Sequence, residues 1–260
     1  MDKLNIPFNT DLLIEWIKQY FNVEGPNAKA VIGISGGKDS TVAAALCVAA
    51  LGRDRVLGVK MPCNGQKDID DSNRIIEYLG IDSYELDIGK CYNELVLMFV
   101  NNNLYPNQVV ATNMPARLRM TTLYAVAAMV GGRVVNTSNA SEIYVGYSTK
   151  WGDSVGDFAL FKNLTSEEVC AIGEELGLPF DLIYKAPSDG MSGKTDEDNL
   201  GFKYSSVNAI IRNSGDDICD YQEIQERHRY SEHKRLPIPA FEPIIEKEIS
   251  FNSVSKENSN

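Results

Sequence analysis

The chain has 260 residues, enough to bury one full α/β core, and carries 36 acids against 25 bases for a net charge of −11. That balance excludes broad electrostatic capture of nucleic acid, and no apolar run reaches the length of a membrane span. No basic region with an apolar core stands near Met1, and five cysteines without a C-x-x-C pair predict reduced thiols in a cytoplasmic protein with no zinc site.

From Thr10, the apolar residues Leu12, Leu13, Trp16, Ile17 and Tyr20 share one face, which predicts an amphipathic helix. Ala30–Ile34 reads as a short buried strand, followed by a glycine turn and a helix over Thr41–Leu51. Arg55–Met61 is a second strand, entering the polar loop 62–67, and Asp68–Leu79 is a helix that stops at Gly80. Tyr84–Ile88 is the third strand expected, with a helix over Lys90–Asn102 behind it. Ala116–Val130 is helical and ends at Gly131-Gly132, before a fourth strand at Arg133–Thr137. Thr165-Ser-Glu-Glu168 is a capping box that opens a helix closing at Gly177.

Strand and helix alternate throughout, which predicts an α/β fold. We expect a doubly wound, mostly parallel sheet with helices on both faces, Rossmann-like, in one domain over residues 1–249. Residues 250–260 are polar and predicted to be a disordered tail. Ligands of open parallel sheets bind beyond the carboxyl ends of the strands, so the informative loops are 35–40, 62–68, 88–91 and 137–142.

The first of these is the most specific. Gly33-Ile34-Ser35-Gly36-Gly37-Lys38-Asp39-Ser40 joins a strand to a helix. Two adjacent glycines let backbone N–H groups approach an anion, the helix start adds positive partial charge, and two serines add hydroxyl donors. The spacing matches neither a Walker A loop, since Lys38 is followed by Asp39, nor the G-x-G-x-x-G dinucleotide fingerprint. An acid beside a polyphosphate is costly unless a divalent cation lies between them, so Asp39 implies Mg²⁺. A strand followed by S-G-G-x-D-S resembles the pyrophosphate loop of N-type ATP pyrophosphatases, which adenylate a substrate and release pyrophosphate.

Further motifs, in order, extend the resemblance to the ammonia-dependent NAD synthetase family over about residues 30 to 243. Met61-Pro62 with Gln66 and Asp68 is similar to its M-P-x-x-x-Q-x-D segment. Asn113-Met-Pro-Ala-Arg117-Leu-Arg119-Met120 resembles N-x-x-A-R-x-R-M, and Thr137 to Glu142 matches T-x-x-x-x-E. Gly146 to Asp157 is close to G-x-x-T-K-x-G-D-x-x-x-D, followed by Lys185-Ala-Pro-Ser-Asp189, Thr195-Asp-Glu197 and His233-Lys234-Arg235.

The resemblance implies ATP-dependent amidation of nicotinic acid adenine dinucleotide (deamido-NAD) by ammonia. The substrate carboxylate attacks the α-phosphate of ATP, and ammonia then displaces AMP from the adenylate to leave NAD⁺. It also implies Mg²⁺ on Asp39 and Glu142, and ATP against residues 33–40, Thr137, Ser166 and Ser188. Arg117, Lys150, Asp157, His233 and Lys234 are implied at the dinucleotide. Asp157 serves either to orient the pyridine ring or to take a proton from incoming ammonia. A homodimer is implied, with the segment 188–198 as a lid that keeps water from the adenylate.

Two positions depart from the family pattern: Ser166 and Pro115 stand where lysines are common. The rival readings are an RNA-modifying pyrophosphatase, for which this acidic chain has no basic module, and a regulatory ATP-binding domain without turnover. A glutamine-using synthetase would carry an extra amidase domain, so free or delivered ammonia is the nitrogen source expected.

Overall fold

A computed structural model describes residues 4–65, 69–184, 195–214 and 218–243. In chain order these form α1 (Ile6–Glu24), β1 (Ala30–Gly33), α2 (Lys38–Leu51), β2 (Val56–Lys60), α3 (Ile69–Leu79), β3 (Asp82–Glu85), α4 (Gly89–Asn101) and α5 (Gln108–Val130). There follow β4 (Arg133–Asn136), α6 (Ala140–Val145), β5 (Phe158–Ala159), α7 (Ser166–Glu175), α8 (Phe180–Ile183), α9 (Asp196–Leu200), α10 (Tyr204–Ile211) and α11 (Tyr221–Tyr230).

The five strands lie in the order β3-β2-β1-β4-β5, and every pair is parallel. This is the doubly wound arrangement expected. The period of two along each strand divides the core. Ala30, Ile32, Val56 and Val135 face a layer that includes α1, α2, α3 and α7. Val31, Leu57, Val59 and Val134 face α5 on the other side. A third, smaller apolar cluster joins α6 to α9, α10 and α11 through Val145, Leu200, Phe202, Tyr204, Val207 and Ile224.

Several boundaries differ from the sequence expectation, each for a local reason. The first helix starts at Ile6 rather than Thr10, because the Asn5 side chain accepts from Phe8 N at 3.2 Å and caps it earlier. Its buried stripe is Thr10, Ile17 and Phe21, while Leu12 and Trp16 are exposed. α5 begins eight residues before Ala116: Asn107 caps it by accepting from Val110 N at 3.1 Å, and the helix runs through Pro115. Pro115 forfeits one intrahelical bond, yet it is buried and the helix is long enough to carry it.

The third strand is 82–85 instead of 84–88. Past its end, Leu86 N still donates to the Lys60 carbonyl at 2.8 Å and Ile88 N to that of Pro62 at 2.9 Å, so the chain stays tied to the continuation of β2. The α7 capping box forms as expected, with Thr165 Oγ1 accepting from Glu168 N and Thr165 N donating to Glu168 Oε2 at 2.7 Å. The segments 185–194 and 244–260 lie outside the described residues. They hold Ser188, most of the expected lid and the expected tail.

Candidate active site

The order of strands reverses between β1 and β4, the place where a doubly wound sheet opens a crevice. Both loops leaving these strands turn into it. After β1, Gly36 adopts a left-handed backbone (φ +82°), which Cβ-bearing residues rarely tolerate, and Gly37 caps α2. The serines brace this turn. Ser35 Oγ accepts from Gly37 N at 3.2 Å and lies 3.2 Å from Ser40 Oγ, which donates to the Gly37 carbonyl at 3.0 Å. Two contacts anchor its start to neighbouring elements: Ile34 N donates to the Val59 carbonyl at 3.0 Å, and Ser72 Oγ to the Ile34 carbonyl at 3.2 Å.

After β4, Asn139 caps α6 in a second box. Its side-chain oxygen accepts from Ser141 N and Glu142 N, each at 3.0 Å, while its own N–H donates to Glu142 Oε2 at 3.1 Å. The Asn139 amide also donates to Asp39 Oδ1 at 3.1 Å, so one fully buried side chain ties the two loops together. Asp39 Oδ2 accepts from the buried ammonium of Lys38 at 2.7 Å. The other oxygen of Glu142 has no hydrogen-bond donor among the described residues.

The charges do not balance locally. Burial works against the Lys38 ammonium, but Asp39 and Glu142 outweigh it and hold its pKa above the ordinary lysine value. Burial, and then repulsion from Asp39, push the Glu142 carboxyl up to about 8 against the pull of Lys38. Two carboxylates facing one cation in a sheltered site leave room for further positive charge. Among the described residues no group of three or more acid, histidine or cysteine side chains is arranged to hold a metal. A pair of carboxylates completed by substrate phosphates and water is the donor set Mg²⁺ favours, so these residues fit that ion.

The crevice has a volume of about 690 Å³. Of the expected site residues, Gly33, Ile34, Ser35, Gly37, Lys38, Asp39, Ser40, Thr137, Glu142 and Lys234 line it. Gly36 shapes the turn from behind. Arg117, Lys150, Asp157 and His233 are not in its wall, and the side chains of the first three meet backbone groups. Arg117 Nε donates to the Lys150 carbonyl at 3.3 Å and Lys150 Nζ to that of His233 at 2.7 Å. Asp157 Oδ2 accepts from Val134 N at 2.7 Å. Lys234 Nζ donates to the carbonyls of Gly146 and Ser148, both at 2.6 Å. Ser166 is buried at the start of α7, its N–H donating to Ser141 Oγ at 3.0 Å and its hydroxyl lying 3.3 Å from Asn208 Nδ2.

The expected loops contribute unequally. Of these loops 35–40 and 137–142 contribute most, Cys63 and Gly65 come from the loop after β2, and 88–91 contributes none; α5 and the segment 146–155 supply much of the remaining wall. Sequence reasoning missed Asn139, although the N-x-x-E spacing after a strand was a readable capping signal. It also missed Asp153, Asp196 and Arg119, all in the wall. Arg119 lies two residues beyond Arg117 and donates to the Met61 carbonyl at 3.1 Å. Asp153 Oδ1 accepts from Thr149 N at 2.6 Å, and partial desolvation by its surroundings raises its pKa.

A profile of the family described as NAD synthase matches residues 10–239. An NH(3)-dependent NAD(+) synthetase from Pyrococcus horikoshii is 38% identical over 253 residues, covering 90% of this chain and 96% of its own length. An NMN synthetase from Francisella tularensis superimposes with a TM-score of 0.83 at 31% identity, covering 94% of this chain and all (100%) of the other. An NH3-dependent NAD synthetase from Campylobacter jejuni shares the fold, with a TM-score of 0.75 at 23% identity. By the match along its length and by the phosphate loop at its switch point, the chain belongs to the NAD synthase family.

Proposed function

We propose that this protein is an ammonia-dependent NAD⁺ synthetase, which adenylates the carboxylate of deamido-NAD with ATP and lets ammonia displace AMP. The observation that carries the reading is the meeting of Asp39 and Glu142, at the starts of the helices that follow β1 and β4, beside a preformed phosphate loop. In this reading the N–H groups of 35–40 and the start of α2 hold the ATP phosphates, with Thr137 beside them. Lys38 offsets phosphate charge. Asp39 and Glu142 would hold Mg²⁺, which supplies charge neutralisation at the α-phosphate when bound. Ser166 is assigned a role behind the site, through Ser141 and Asn208, because its hydroxyl is held in that buried network.

Arg117, Lys150, Asp157, His233 and Lys234 are assigned to the dinucleotide, and all but His233 would reach it by exchanging their present backbone partners for substrate. Ser188 and the lid remain part of the proposal on sequence pattern alone. A homodimer is supported by the apolar residues Leu97, Met98, Val100, Leu104, Tyr105 and Val109, exposed on α4 and the start of α5. All five cysteines are unpaired, which supports a reducing, cytoplasmic setting. No helix of the described residues is long and apolar enough to cross a membrane, and no nucleic acid or membrane partner is proposed.

The Francisella neighbour favours one second reading: the same chemistry on the mononucleotide, giving NMN. The test mixes protein and Mg-ATP with either deamido-NAD or nicotinic acid mononucleotide, and with either ammonium or glutamine. Equal amounts of NAD⁺ and pyrophosphate from deamido-NAD and ammonium are expected. Turnover of the mononucleotide alone would select the second reading, and pyrophosphate without either amide would contradict both.

A further inference from the structure

Tyr204 is a buried residue with an unused hydrogen bond. Its ring packs in the third apolar cluster beside Val145, three residues after Glu142 on α6. The residue is 6% exposed, its backbone N–H donates to Glu197 Oε1 at 2.8 Å, and its hydroxyl has no partner among the described residues. Burial and then the charge of Glu142, followed by Asp196, Tyr147 and Asp39, hold its pKa above the usual tyrosine range. The hydroxyl therefore lies in the field of the carboxylates that face the phosphate loop, as a donor not yet spent. A phenylalanine would fill the same space without leaving a polar group unpaired, so packing alone does not explain the hydroxyl.

We propose that the Tyr204 hydroxyl is a positioning donor for the site, engaging the Glu142 carboxylate when Mg²⁺ and ATP are seated. This rests on the reading of Asp39 and Glu142 as the metal pair. Glu142 has one oxygen held by Asn139 N at 3.1 Å and the other without a donor, so it is fixed on one side only. A donor from α10 would fix the second side and leave lone pairs for the cation.

The experiment compares wild type with Tyr204→Phe by calorimetric titration of Mg-ATP and of metal-free ATP, and by thermal melting of the unliganded proteins. We expect the Mg-ATP dissociation constant to rise about tenfold, as loss of a hydrogen bond to a charged group does. Metal-free ATP affinity and the unliganded melting temperature should not fall. In a Glu142→Gln background the Tyr204→Phe change should add less than twofold. An unchanged Mg-ATP affinity overturns the proposal, as do equal losses with and without metal. If wild type itself gains nothing from Mg²⁺, it is the metal-pair reading that has failed.

Discussion

The end proposed to hold ATP and the end proposed to hold the dinucleotide are built in opposite ways. Around β1 the loop 33–40 is one contiguous segment, braced by its own serines and joined to Glu142 through a single buried asparagine. The residues proposed for the dinucleotide come from α5, the segment 146–157 and the turn after α11; Arg117, Lys150 and Lys234 spend their polar groups on backbone carbonyls, and Asp157 accepts from a backbone N–H. The first is preorganised. The second must trade internal partners for a ligand, so its binding energy is a difference between two sets of hydrogen bonds. Substitutions should separate the two accordingly.

The largest effect belongs to the preorganised end. Asp39→Ala should lower NAD⁺ and pyrophosphate formation together, by on the order of 10²–10³-fold, without loss of helical signal in circular dichroism. Next comes Gly146, which closes α6 in a left-handed conformation (φ +63°) and lies where an added Cβ would overlap Ser231 Cβ. Gly146→Ala should cost roughly 2–3 kcal/mol in denaturant unfolding, since both strain and overlap oppose it. A value near zero would mean that the α11 segment does not press on this turn.

Lys234→Ala should be milder and one-sided. Removing two bonds of 2.6 Å to Gly146 and Ser148 should raise the KM for deamido-NAD about tenfold, with ATP affinity within twofold of wild type. Equal losses for both substrates would erase the distinction between the two ends. The smallest effect is expected at Arg212, which donates to both oxygens of Glu168 and so ties α10 to the α7 capping box. Burial alone would raise the Glu168 pKa, but the Arg212 hydrogen bond, then Thr165, hold it below the ordinary carboxylate value. That stabilisation is therefore present above the ordinary carboxylate pKa and is lost as pH falls through the depressed one. Arg212→Ala should cost about 0.5–1 kcal/mol at neutral pH, and the gap to wild type should close in acid unfolding.

The same contrast decides what could be read from sequence. The strand, glycine turn and helix around residue 36 are encoded by near neighbours, as is the Thr165–Glu168 box, and both stand where the pattern puts them. β3 slipped by two residues because it is a fully exposed edge strand, whose residues carry no buried alternation to mark its register. β5 has two residues and exists through pairing with Val135 and Asn136, so no local period betrays it. Proline at 115 concealed the first turns of α5, although Asn107 supplied a cap. The bridging role of Asn139 was hidden for another reason: its amide meets Asp39, 100 positions earlier in the chain.

The most direct test of the account is titration of ATP, with and without Mg²⁺, into wild type, Asp39→Asn and Arg117→Ala. The prediction is that Mg²⁺ tightens ATP binding to wild type and to Arg117→Ala alike, while Asp39→Asn loses that gain. If Asp39→Asn keeps the full Mg²⁺ dependence, the switch-point crevice is not where this protein holds its metal and nucleotide.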